Sequence, residues 1–146
     1  MANVFDVAKY ILDKCGPMSA MKLQKLTYYS QAWSLVWDGS EIFPEEFEAW
    51  ANGPVCRELY EAHKGRFLLS NTDINGNPSE ISDNHKDSID LVLDAYCDKT
   101  PQWLSDLTHM ESPWKDARIG LKEGERGAVV ISKASMAEYY ESIQDG

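Results

Sequence analysis

The sequence predicts a mainly α, single compact helical domain spanning residues 1–146, with about six helices and a short β segment or hairpin. Three observations predict this. Apolar residues recur every three to four positions in several separate stretches. Those stretches are bracketed by capping residues at their starts and by Gly or Pro beyond their ends. Only residues 41–52 alternate in the manner of a strand. With 146 residues, 43% of them hydrophobic, the chain is long enough to bury one core.

The first helix is expected over residues 3–15, where Val4, Val7, Ala8, Ile11 and Cys15 form one stripe. Asn3 caps its start and Gly16-Pro17 ends it. A second helix fits residues 20–37 behind Ser19, with Leu23, Leu26, Ser30, Trp33 and Trp37 on one face and Lys22 and Lys25 on the other. Asp38-Gly39 stops it. Residues 41–52 are read as an extended segment or hairpin, Asn52-Gly53-Pro54 as a turn, and Val55 to His63 as a third helix. Residues 70–80 read as a loop. Ser82 or Asp83 opens a fourth helix to Cys97. Thr100-Pro101 pairs a cap with a first-turn proline and opens a fifth, to about His109. Pro113-Trp114 starts a further helical turn. Residues 120–128 look like a mobile loop. Val129 to Ile131 adds a short strand, and Ser132 caps the final helix.

Charge is unevenly placed on a net of −10. Residues 1–36 hold four lysines and two aspartates, whereas residues 37–62 hold seven acids against Arg57 alone. An acidic surface repels phosphate backbones and anionic lipid and favours a basic partner. The three cysteines, Cys15, Cys56 and Cys97, are far apart and odd in number, which predicts reduced thiols in a cytoplasmic protein. No apolar run approaches the ~20 residues of a membrane helix, and Asp6, Lys9 and Asp13 interrupt any signal-peptide pattern.

The search for chemistry returns little. His63, His85 and His109 share no helical turn and there is no Cys-x-x-Cys, so no metal motif is present. Glycine-rich phosphate loops and nucleophile elbows are absent. His109 and Glu111 are the best acid–base pair, but a helix-terminal histidine bonding free carbonyls accounts for the same residues. The first two helices outline a helix-turn-helix, with Lys22 and Lys25 on the second. Two lysines and no arginine make a thin recognition face, so nucleic acid is not the expected partner. Trp37, Phe43, Phe47 and Trp50 cluster among acids, including Glu45 and Glu46. That mixture suits a protein interface, since large aromatics give contact area at low entropy cost.

Three motifs resemble those of the Panacea antitoxin domain, a family that includes phage-associated GepA-like and SocA-like proteins. The first is Met21-Lys22-Leu23-Gln24-Lys25-Leu26-Thr27-Tyr28-Tyr29-Ser30-Gln31-Ala32-Trp33. The second is Phe47-Glu48-Ala49-Trp50 with Gly53-Pro54-Val55. The third is Leu107-Thr108-His109, then Pro113-Trp114 and Ala117-Arg118. The resemblance implies a mainly helical antitoxin, without cofactor or metal and not an enzyme, that neutralises a cognate toxin by direct contact. It also implies association with phages or mobile elements. Alternatives are an adaptor that delivers a toxin to the ClpXP protease and a DNA-binding regulator using the second helix. Trp37, Phe43, Glu45, Glu46, Phe47 and Trp50 are the expected contact residues. The motif residues Leu23, Gln24, Lys25, Tyr28, Tyr29, Glu48, Gly53, Pro54, Arg57, Thr108, His109, Pro113, Trp114 and Arg118 are expected to build the scaffold or the binding site. Glu48 is expected to pair with Arg57 or cap a helix, Trp114 to lock the loop after the fifth helix, and Arg118 to hold a carboxylate.

Overall fold

A computed structural model describes residues 1–144. Among these there are seven α-helices, six of them arranged around α2: α1 (Val4–Cys15), α2 (Ala20–Trp37), α3 (Arg57–His63), α4 (Asp83–Tyr96), α5 (Pro101–His109), α6 (Ser112–Ala117) and α7 (Lys133–Ile143). The capping residues expected from sequence do their work. The Asn3 side chain accepts from the Asp6 amide in a capping box, and Ser19, Ser82, Thr100 and Ser132 each accept from the amide three residues on. Each cap satisfies a donor that the first helical turn leaves free.

The central element is α2, packed against α1, α4, α5, α7 and the small sheet. The expected one-sided stripe is corrected here. Leu23, Leu26, Tyr28, Tyr29 and Ala32 are buried, and so are Gln24, Lys25, Thr27, Ser30 and Gln31 around the rest of the helix. A helix enclosed on most sides has no solvent face for polar residues, so the period that normally reports orientation is lost. Its polar side chains bond inside the protein instead. Thr27 and Ser30 donate to carbonyls one turn back, and the Gln31 amide grips the backbone of Ile42 and Phe43 at 2.8 Å on both sides.

The strands are short. β1 (Met18–Ser19) pairs with a later strand, β4 (Leu68–Leu69), and β2 (Phe47–Trp50) is the middle of an antiparallel sheet between β3 (Gly53–Cys56) and β5 (Val130–Ile131). Strands β2 and β3 form a hairpin with Phe47 opposite Cys56 and Trp50 opposite Gly53. Val55 and Cys56 therefore end a strand rather than start the third helix. The β1–β4 pair has no counterpart in the sequence reading, and the two 3-10 turns at Asn71–Asp73 and Pro78–Glu80 lie within the residues 70–80 that read as a loop. In the loop of residues 120–128 the Glu125 carbonyl accepts from Arg118, which also donates to the Ala49 carbonyl.

One sequence expectation about cysteine is overturned. Cys15 at the end of α1 and Cys97 just after α4 are joined as a disulfide, with Cα atoms 6.1 Å apart across 82 residues of sequence. Their separation hid a proximity that only the packing of α1 against α4 creates. Cys56 is the buried free thiol, and burial pushes it up to about 12. No helix among the described residues is long and apolar enough to cross a membrane.

Candidate functional site

The first motif enters the interior through α2. Leu23 is core. Next to it, the Gln24 amide makes two hydrogen bonds to the backbone of Cys56, accepting from its N–H at 2.9 Å and donating to its carbonyl at 3.2 Å. This pins the end of β3 to α2. The same amide lies 3.0 Å from Nε2 of buried His63 on α3. Burial holds that imidazole below its ordinary value, with the Lys25 charge adding to the effect.

Lys25 is only 1% exposed. Its ammonium has a single hydrogen bond, to the Pro54 carbonyl at 3.3 Å, and no carboxylate partner among the described residues. Burial drives its pKa from 10.5 to about 7. Gly53 is the residue that makes room for it. Its φ is +126°, and a Cβ there would collide with Lys25 Cε and crowd Thr108 Oγ1. Thr108 itself donates to the Ser105 carbonyl. The three motifs thus meet at one point, Lys25 from the first, Gly53-Pro54 from the second and Thr108 from the third.

This junction borders a cavity of about 830 Å³ between the start of α2, the β2–β3 hairpin, α3 and the loop before β5. Five of the chain's fourteen Lys and Arg residues line it: Lys25, Arg57, Lys64, Arg66 and Arg126, against one acid, Glu61. Such a basic concentration contrasts with the chain's net charge of −10. Arg57 is engaged by Glu48 at 2.9 and 3.2 Å, and Arg66 by Asp73 at 2.6 Å. The Glu48 carboxyl is raised by partial burial, but the bonds from Arg57 and Trp50 outweigh this and lower it. One wall is aromatic: Trp50 and Tyr60 meet edge to face at 4.9 Å, with the Arg57 guanidinium 5.4 Å from the Trp50 ring.

Behind the cavity, the third motif is structural. His109 stacks on Trp114 at 4.0 Å, and its Nε2 has no hydrogen-bond partner among the described residues. Glu111 points elsewhere, accepting from the Tyr29 hydroxyl at 2.6 Å and the Tyr140 hydroxyl at 2.7 Å. The Tyr140 hydroxyl also lies 3.1 Å from that of Tyr28. His109 and Glu111 therefore form no acid–base pair, and neither lines the cavity. Trp114 donates to the Trp50 carbonyl at 2.8 Å, and Pro113 opens α6. Arg118 stacks over Trp114 and bonds backbone carbonyls, not the carboxylate expected for it.

The residues expected to contact a partner do not form one patch. Phe43 and Phe47 are 0% and 1% exposed and belong to the core, so they are corrected from surface to scaffold. Glu45 accepts from the Val4 amide at the start of α1. Glu46 is exposed, Trp37 is 40% exposed and stacked on Trp33, and Trp50 is half-buried at the cavity. Trp37 ends α2, whereas Trp50 lies near Lys25, about 18 Å earlier along that helix. Sequence reasoning missed Tyr60, His63, Lys64, Arg66 and Arg126. His63 was visible only as an isolated histidine, and the cations are dispersed over 60 residues of sequence.

The helix-turn-helix alternative loses its contact face, because Lys25 is buried and Lys22 donates to the Cys97 carbonyl. Metal chemistry gains no support: among the described residues no group of three or more His, Cys, Asp or Glu side chains is placed to hold an ion.

A family model described as antitoxin SocA-like, Panacea domain matches residues 23–115, more than half of the chain. No curated protein and no solved structure matches it. The matched span opens at Leu23, one residue before the Gln24 clamp, and closes just after Trp114, so it holds Lys25, Gly53, Pro54 and Thr108 together. By that match the chain belongs to the SocA-like antitoxin family that carries the Panacea domain.

Proposed function

We propose that this protein neutralises a cognate toxin by direct contact, as a stoichiometric binding module that transforms no substrate. The family match over residues 23–115 carries this reading. The geometry supports it in one respect: the motif residues that resemble catalytic groups form no acid–base pair and do not line the cavity. Glu111 is held by two tyrosines, and His109 is stacked beneath Trp114. What remains on the surface of the expected contact stretch is Trp37 and Glu46, with Trp50 at the cavity. We assign the toxin contact to Trp37 and Glu46, and favour a basic partner from the net charge of −10. A standard interface needs ~800 Å² from each partner, which a domain of this size supplies.

The test is co-expression with the product of the neighbouring reading frame, scored by growth and by co-purification. Rescue with a stable complex supports the proposal. Trp37→Ala combined with Glu46→Lys is expected to weaken both, and an unaltered complex refutes the assigned surface. Delivery to a protease such as ClpXP makes a different forecast, in which the toxin disappears on co-expression and persists when the protease is removed.

A further inference from the structure

The cavity beside α2 has chemistry that toxin contact through Trp37 and Glu46 does not use. We propose that it binds a phosphorylated small molecule bearing a planar ring, of nucleoside monophosphate size, with Lys25 as a phosphate ligand at its inner wall and Trp50 and Tyr60 as the ring's wall.

Four observations carry this. First, Lys25 has three N–H donors and uses one, on a carbonyl 3.3 Å away. A buried ammonium without an anion is costly, and a bound phosphate supplies both the countercharge and the missing acceptors. Second, Lys64 and Arg126 also line the cavity without an ion-pair partner among the described residues, while Arg57 and Arg66 add partly neutralised charge. A phosphate monoester carries about −1.5 to −2 charge and three acceptor oxygens, which matches several convergent donors better than a single carboxylate does. Third, Trp50 and Tyr60 line the same space, and aromatic faces accept any nucleobase by stacking. Fourth, the volume of about 830 Å³ lies within the ~300–1,000 Å³ of small-molecule sites and exceeds what one inserted side chain fills. A longer nucleic acid is disfavoured, because its other phosphates would face the acidic remainder of the chain.

The inference does not depend on the identity, or the existence, of a toxin. Its test is calorimetry and thermal shift on the full chain with AMP, GMP, inorganic phosphate, adenosine and a glutamate-rich peptide. AMP or GMP is expected to bind saturably and raise the melting temperature, phosphate alone to bind more weakly, and adenosine not to bind at the same concentrations. Arg126→Glu, on the exposed rim, is expected to weaken nucleotide binding about tenfold or more while leaving the fold intact. Lys25→Met is expected to remove binding in a protein that still melts cooperatively. No heat and no melting shift with nucleotides or phosphate at millimolar concentration overturns the proposal. So does nucleotide binding that is unchanged in both variants, or binding of the acidic peptide that nucleotides fail to displace.

Discussion

Replacing Lys25 by Met isolates the cost of the buried ammonium. The methionine side chain is close in length and apolar, so the space is filled and the charge removed. The fall in pKa from 10.5 to about 7 corresponds to about 5 kcal/mol of unfavourable free energy for the charged form in the folded state. Below pH 7 the lysine is protonated in both folded and unfolded chains, and that cost applies in full. Above pH 7 the folded lysine loses its proton while the unfolded one keeps it up to 10.5. The unfolded chain then binds more protons, and stability rises with pH by about 1.4 kcal/mol per unit. Methionine has no such dependence. Its advantage should therefore shrink by about 2 kcal/mol between pH 7 and pH 9. Loss of the bond to the Pro54 carbonyl subtracts about 1–3 kcal/mol at every pH. The variant is expected to be more stable than the parent at pH 7 and close to it at pH 9. The neighbouring His63 and His109, both held below the ordinary histidine value by burial, are common to both proteins. Urea unfolding of both proteins at the two pH values measures the effect. A stability difference that is the same at pH 7 and pH 9 refutes the burial argument.

Three further outcomes follow from contacts of the same kind. Gly53→Ala places a Cβ at φ +126° and against Lys25 Cε, so it should cost about 1–3 kcal/mol from the backbone alone in a chemical melt. The collision with Lys25 adds to this, and that added part should return when the change is paired with Lys25→Ala. Tyr140→Phe leaves the Glu111 carboxylate with Tyr29 alone and should destabilise by about 1–3 kcal/mol, read as a lower melting temperature without loss of helix content. Closing an 82-residue loop, the Cys15–Cys97 bond should contribute up to about 4 kcal/mol. A reductant, or Cys15→Ser with Cys97→Ser, should lower the denaturation midpoint accordingly.

What the sequence made legible were features decided within a few residues. Caps at Asn3, Ser19, Ser82, Thr100 and Ser132, and the stop at Gly16-Pro17, are local competitions between side chain and backbone, and they fall where expected. The alternation at Phe47 to Trp50 likewise marks β2. Features set by distant segments were hidden. The burial of Phe43 and Phe47 depends on α2, and acids on both sides disguised them as surface. The Cys15–Cys97 pair needs α1 and α4 to meet. Lys25 was placed on the outer face of α2 for the same reason: like Gln24 and Gln31, it is enclosed by chain that arrives later.

Among those three enclosed residues, Lys25 differs in kind. Gln24 and Gln31 each present an amide that gives and receives one backbone bond, so each fixes a strand or loop at little net cost. Lys25 fixes almost nothing. Its one bond is long, its charge is unpaired, and Gly53 must forgo a side chain to admit it. A leucine or methionine would serve the scaffold better on every count that packing recognises. A group that lowers stability while facing a basic cavity is accounted for by something that occupies the cavity, since strain of this kind concentrates where a protein binds. The Gln-Lys step of the first motif then divides into two roles, with the glutamine holding the hairpin in place and the lysine reading what enters beside it.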